Sequence, residues 1–598
     1  MRRKGVSQMD QKKPANFALL ISLFALAVAI SWILYKGKLF PGKFDTTKGV
    51  AVLSFESLSP DPDNAYFAEG IREEILVRLA TIHDLKVISS NSTRLYQQKP
   101  RDLHDIAKQL GVSNIVEGSV RREADQVRVN VQLVNAQTNS YMWTDTYNRK
   151  LTDITAVVSE IAKGIAESLQ VKLTAREAEA LAAKPTNNPE AFDAYLRGLV
   201  FDARTAYSND AQRNAITSYE RAVEIDPAFA LAWARLSRAD AALYFIRADQ
   251  TPVRRDIARR ALENAQELSP NLPETQLALG YYQYWVLRDY GLAKNTFGHL
   301  RKMLPGSSDV LYALGLVTRR QGKWDESISY FEQCLALDPR NAEVLSNTAW
   351  TYAMLRKFPA ALKFYERALE ITPNDLDLVA AKAGTYQAEG NLKEAAALLT
   401  GINEQSPVQP FITKMTQLRL ERYHGEAVRL LLARQAHFQF ASQIDQATNQ
   451  VILAFAQRLA GDTAAAKATA EQARDTLKPL CREQPDNSFF AQQLALVNAA
   501  LGEKEMALSE AERASTLLPI ASDPLSGPTR DEVVALIQMM FGDSARPIST
   551  LRRLLQTPYI SWLYGPMPAT AALLRLDPVW DPLRGDSAFE KLCQEKQK

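Results

Sequence analysis

Three hydrophobic rhythms succeed one another along this chain. The first is unbroken: "FALLISLFALAVAISWILY", Phe17 to Tyr35, runs from end to end without a charge. The second begins near residue 48 and changes every few residues. "GVAVLSF" reads as a buried strand. Phe67, Ile71, Ile75 and Leu79 then recur at a four-residue spacing that lines one face of a helix. Val127, Val129, Val131 and Leu133 alternate with polar residues, as on a half-buried strand. The third rhythm is long. Pro305, Pro339, Pro373 and Pro407 stand at equal intervals, and the same interval separates Pro485 from Pro519.

The second rhythm predicts a small domain. A helix over "DNAYFAEGIREEILVRLATI" is capped by Asp63 or Asn64. "LKVIS" is a second strand, and "RDLHDIAKQLGV" a second helix closed by Gly111. "NIVEGSVRR", "QVRVNVQLVNA" and "SYMWTDTYNR" are three strands joined by short polar turns, a predicted meander. "LTDITAVVSEIAKGIAESLQV" closes the domain as a helix. The order β-α-β-α-β-β-β-α points to helices on one face of a mixed sheet. Glu73 and Glu74 are expected on the solvated helix surface, and Arg121 and Arg122 at an exposed strand end.

The third rhythm predicts an all-α solenoid. Fixed self-similarity at about 34 residues, the interval of the prolines, marks tetratricopeptide repeats, in which paired helices bury their apolar faces only against neighbouring pairs. Leu311, Leu314, Gly315, Phe331 and Pro339 fall at the expected sites of one repeat, with Cys334 at its small-residue packing position. Leu345, Tyr352, Ala361, Tyr365, Ala368 and Pro373 do so in the next. Gly322, Gly390, Gly461 and Gly502 fit the turns inside the pairs. The period gives about eight repeats, and it leaves the register open over residues 408–484.

The first rhythm predicts a membrane helix, since about 20 apolar residues span a bilayer core. Trp32 and Tyr35 close it, where amphipathic aromatics favour the interface. A cleaved signal peptide is the alternative, disfavoured by the length of the run and the lack of a small-residue cleavage site. Arg2, Arg3, Lys4, Lys12 and Lys13 precede the span, whereas Lys36, Lys38 and Lys43 follow it. This balance favours an N-terminus in the cytoplasm and the bulk of the chain outside. The divisions are then a tail 1–16, a membrane helix 17–35, an α+β domain 48–172, a linker 173–188, a repeat array 189–520 and a C-terminal helical cap 521–598.

Composition narrows the chemistry. A net charge of +3 argues against a dedicated nucleic-acid surface. Cys334, Cys481 and Cys593 are far apart, and the histidines form no ligand cluster with them. The turn "ESLSPDPDN" lacks the glycines that cradle phosphate. Asp61, Asp63 and Glu69, and later Asp577, Asp581 and Asp586, read as turn and cap residues. No catalytic set, metal site or cofactor is expected.

Two stretches carry a resemblance. "VAVLSFESLSPDPDNAYFAEGIREEIL", followed by "LGVSNIVEGSVRREADQVRVNVQLVNAQTNSYMWTDTYNRKLTDI", resembles the TolB amino-terminal-like (FlgO-like) domain. In that family the domain commonly precedes tetratricopeptide repeats in bacterial signalling chains bearing adenylate cyclase, kinase or CadC-type DNA-binding domains. "YGPMPATAALLRLDPVWDPLRGDSAFEKLCQ" resembles the element that ends such chains, with Trp580 and Phe589 expected to cover the last helix pair. The resemblance implies ligands in a concave groove lined by the first helix of each pair. By position that face presents Arg204, Arg238, Tyr281, Tyr284, Trp285, Tyr312, Arg319, Arg320 and Trp350. Such residues dominate interface energies, although Tyr and Trp also fill gaps between repeats. The lysine that some relatives use against C-terminal carboxylates is replaced by Val200.

The expected function is a non-enzymatic, membrane-anchored scaffold or sensor that recruits a protein or peptide partner in bacterial signalling or envelope assembly. The expected location is the inner membrane, with the bulk of the chain periplasmic. Two alternatives stand beside it: an enzyme or nucleotide-responsive component with its site in 48–172, and a CadC-like regulator lacking its DNA-binding domain.

Overall fold

The computed structural model describes residues 48–61, 64–96, 102–204, 209–246 and 249–595. The expected membrane span 17–35 and the candidate cap Asp63 lie outside these residues. No helix among the described residues is long and apolar enough to cross a membrane.

The first domain is a mixed sheet. β1 (Gly49–Val52), β3 (Lys86–Val87) and β4 (Asn114–Glu123) run parallel in the order β3-β1-β4. β2 (Glu56–Ser57) also pairs with β4. β5 (Gln126–Asn135) and β6 (Ser140–Lys150) extend the sheet as the predicted antiparallel meander. Helices cover both faces, not one. Val50 and Val52 meet the helices Ala65–Leu79 and Ile154–Ser168, whereas Ala51 and Leu53 meet Leu103–Leu110. Successive strand residues point to opposite faces, so a central strand that is apolar throughout must be covered twice. Gly111 closes Leu103–Leu110 in the left-handed conformation, φ 66°.

Glu73, Glu74 and Arg122 depart from expectation. Glu73 and Glu74 are buried. Arg72 lies against Glu73 at 2.5 Å, and Arg78 pairs with Glu74 at 2.9 Å. Arg122 pairs with Asp193 at 2.5 Å. Glu73 is covered within the domain by Ser90 and Arg94, whereas for Glu74 and Arg122 the cause lies beyond it: the helix Ala65–Leu79 packs on Pro189–Asp202, the first helix of the array. The apolar core is accordingly continuous from Val50 to Ala261. The segment expected as a linker contains a helix, Ala175–Ala182, opened by a reciprocal capping box between Thr174 and Glu177. It is tied to the sheet domain where Arg78 donates to the Leu181 and Ala183 carbonyls.

Beyond it stand antiparallel helix pairs: 189–202 with 209–225, 230–245 with 252–268, 273–285 with 290–303, 308–320 with 324–337, and 342–354 with 358–371. The series continues with 376–389 and 392–398, 408–420 and 424–437, 443–459 and 463–483, and 488–501 and 504–517. That is one pair more than the period suggests. The period fails over 408–484 because the helices lengthen there, the last to 21 residues with Pro479 inside it. A further pair, 528–540 with 545–554, falls within the expected C-terminal cap. Within a pair the helices interlock through glycine: a Cβ on Gly315 would lie 2.5 Å from the Phe331 ring, so only hydrogen fits beneath that aromatic.

Candidate functional site

The turn inside most of these pairs places one residue in the left-handed conformation. Gly322, Gly390, Gly461 and Gly502 supply it at φ between 71° and 87°. Arg288, Arg356 and Arg422 occupy equivalent turns at φ 55°, 58° and 63°, where a side chain is strained. Arg356 and Arg422 use their side chains to hold the C-terminal segment. Arg356 Nη2 donates to the carbonyls of Leu554, Thr557 and Ala569 at 2.9–3.1 Å. Arg422 grips Asp581 with both terminal nitrogens, at 2.7 and 2.9 Å.

Residues 523–581 thus run along the array in the array's own direction. Pro524 lies against Gly322, Ala572 against Gly390, and Asp581 against Arg422. The inner face is engaged as well. Trp350 Nε1 donates to the Pro566 carbonyl at 2.9 Å, Thr570 Oγ1 to the Ala388 carbonyl at 2.7 Å, and Arg419 pairs with Asp577 at 3.1 Å. Buried Glu532 orders the segment by accepting from the Tyr559 and Ser561 hydroxyls and the Trp562 amide. Trp580 and Phe589 are fully buried, as expected of a cover on the last helix pair: the turn Pro578–Leu583 packs on Pro528–Met540 and the helix Ser587–Gln594 on Ala545–Leu554, and Trp580 donates to the Tyr564 hydroxyl. Asp577 and Asp581 have arginine partners, and Asp586 caps Ala588. Among the described residues no His, Cys, Asp or Glu group is arranged to hold a metal.

The nine residues expected to face a partner are mostly engaged within the chain. Tyr281, Tyr284 and Trp285 join Tyr290 and Phe297 in one apolar cluster, with Tyr281 and Trp285 stacked at 4.1 Å. Arg238 lies over the Tyr281 ring at 5.2 Å. Tyr312 donates to Glu343 and accepts from Asn347, whose side-chain oxygen receives Arg319. Arg319 also stacks on Trp350 at 4.2 Å, and burial pulls its guanidinium down to about 10. Arg320 pairs with Asp523 at 3.2 Å. Arg204 is exposed, just beyond the first array helix. Of the nine, Trp350 and Arg320 contact the chain's own C-terminal segment, and the others except Arg204 pack among the repeats. An arginine at a glycine turn is the available sequence signal, but its partner lies in a distant part of the chain.

A cavity of about 490 Å³ remains between this segment and the array. Helices 408–420, 443–459 and 488–501 form one side, and residues 526–530 and 560–565 the other.

Paired helices at a regular spacing, with glycine beneath an aromatic, define a tetratricopeptide-repeat solenoid. A family model described as tetratricopeptide repeat matches residues 307–374, and a second of that description matches 354–410. The chain therefore contains tetratricopeptide repeats. "Putative adenylate cyclase 3" of Rhizobium meliloti (strain 1021) is 38% identical over 203 residues, which is 33% of this chain and 33% of that protein. The chain thus spans about a third of the length of the curated relative it matches. A tetratricopeptide repeat protein from Parabacteroides merdae ATCC 43184 is 19% identical, covering 44% of this chain and 98% of that one at a TM-score of 0.33. A thermophilic TPR protein of Thermus thermophilus is 21% identical, covering 33% and 99% at 0.28.

Proposed function

We propose that this chain is a non-catalytic scaffold that recruits a protein partner at a bacterial inner membrane, anchored by residues 17–35 with its bulk periplasmic. The observation that carries the reading is the repeat array, an architecture in which stacked pairs build an extended binding surface. Residues 523–581 occupy that surface, so a partner carrying a similar segment competes with them. The sheet domain is the sensory element, in keeping with its resemblance to the TolB amino-terminal-like module.

Photo-crosslinking from position 350 in intact cells tests recruitment. Adducts to a second protein should increase when Arg356→Ala and Arg422→Ala loosen the segment; no adduct in either background sinks the reading. A reporter fused at residue 45 that is active only in the cytoplasm would overturn the topology. A second reading, a component of cyclase signalling, rests on the match to the Rhizobium meliloti protein. Cyclic AMP formation from ATP by the purified chain would favour it.

A further inference from the structure

The cavity is lined by two neighbouring carboxamides, Gln492 and Gln493, on the helix Ser488–Leu501. They are 1% and 0% exposed. The nitrogen and oxygen of both amides are buried without a partner among the described residues. Gln409, also on the cavity wall, has a buried Nε2 in the same condition. Each unmet buried polar group costs about 1–3 kcal/mol. A leucine pair would fill the same helix positions without that cost, so the amides are explained by something they bind.

Most of the rest of the wall is apolar or hydrogen-bonded, with His424 and Asp445, which accepts from the Ser442 hydroxyl, as further titratable groups. Arg419 is held by Asp577 and the Leu563 carbonyl. Arg530 donates to Ser488 and to the Ser526 carbonyl. Ser561 binds Glu532, and Thr529 the Ile560 carbonyl. Ile412, Met415, Ile452, Phe455 and Trp562 supply apolar surface. The groups left unmet are neutral amides, against which desolvating an ion is expensive. A pure hydrocarbon would leave the amides unmet. A carboxamide offers donors beside an acceptor, and its natural complement is another amide edge.

We propose that this cavity binds a small uncharged ligand with an amide edge on an apolar body, of the size and chemistry of a capped apolar tripeptide or a cyclic dipeptide. A volume of about 490 Å³ lies within the range of small-molecule sites, about 300–1,000 Å³. This goes beyond protein recruitment: the array and its C-terminal segment together form a receptor for a free small molecule, and the segment contributes one wall.

The test is calorimetric titration of the full-length, detergent-solubilised chain. The probes are a panel of N-acetylated, C-amidated apolar tripeptides and a panel of cyclic dipeptides with Leu, Phe or Val side chains. At least one probe should bind, with the uncapped tripeptides at least tenfold weaker. Linear probes alone would assign a peptide end or fragment, and cyclic probes alone a lactam. Gln492→Leu with Gln493→Leu should melt no lower than the parent and bind about 30-fold more weakly, the equivalent of about 1 kcal/mol for each amide. Ile412→Trp, which fills the cavity from another wall, should abolish binding independently. Failure of both panels, undiminished binding by the double variant, or binding retained in Ile412→Trp would overturn the proposal.

Discussion

Arg356 occupies the turn position that Gly322 holds one repeat earlier, and both adopt left-handed φ, 58° and 71°. The glycine is there for its backbone and the arginine for its side chain, which collects three carbonyls from the C-terminal segment. Arg356→Gly relieves the strained φ but loses hydrogen bonds worth about 1.5–3 kcal/mol each when the donor is charged. Arg356→Ala loses the same bonds and keeps the strain. Both variants should be less stable than the parent, with alanine about 1 kcal/mol below glycine. Urea denaturation, read with protease cleavage across residues 541–570, measures the order. Equal stabilities would show that the turn is unstrained.

Two helical glycines should respond in opposite senses to alanine. A methyl at Gly315 would meet the Phe331 ring at 2.5 Å, so Gly315→Ala should cost about 1–3 kcal/mol. Nothing lies within 4 Å of a Cβ at Gly298, in the helix Tyr290–Met303. There alanine should stabilise by about 0.5–1 kcal/mol. Thermal melts of the two single variants separate the cases, and a shared sign would contradict the packing described.

Buried Asp338 joins the sheet domain to the fourth helix pair by accepting from the hydroxyls of Ser89 and Ser92. Lys86 stands close by, donating to the Ala336 carbonyl, and burial holds its ammonium below the usual range. Burial raises the Asp338 carboxyl above its ordinary value, against the lowering effect of the serine hydroxyls. The folded chain therefore binds this proton more tightly than the unfolded chain does. Its contribution is fully present below the ordinary carboxylate value of about 3.9 and is lost as pH rises through the folded value. Asp338→Asn should remove that slope. Melting curves of parent and variant between pH 4 and pH 7 should converge towards acid and diverge above it; parallel curves would refute the assignment.

Arg78 and Glu74 are a buried pair that also receives the Tyr195 hydroxyl. Arg78→Met alone leaves a buried carboxylate without its cation and should cost about 3–5 kcal/mol. Adding Glu74→Gln should recover most of that loss. A double variant no more stable than the single would mean that packing, not charge, sets the cost.

The extent to which these features can be read from sequence follows their range along the chain. The meander of Val127 to Leu133 and the left-handed cap at Gly111 are legible because each depends on a few adjacent residues. The proline period exposes the array as far as Pro407 and is lost where the helices Gln443–Leu459 and Thr463–Glu483 lengthen. Glu74 and Arg122 look like surface residues in the sequence because their covering helix, Pro189–Asp202, arrives only after the whole sheet domain has been completed. Trp350 and Arg320 carry the right composition for a binding face, but composition does not distinguish a foreign ligand from a segment of the same chain.

The C-terminal segment sets a schedule for the molecule's own synthesis. Trp350 leaves the ribosome 216 residues before Pro566, to whose carbonyl it donates. At about 5–20 residues per second, that separation is roughly 10–40 s. Throughout that interval Trp350, with Arg319 and Arg320 before it, has been made and its partner in the segment has not. A newborn chain is therefore open to competitors, including a neighbouring copy emerging from the same message, in a way that the finished molecule is not.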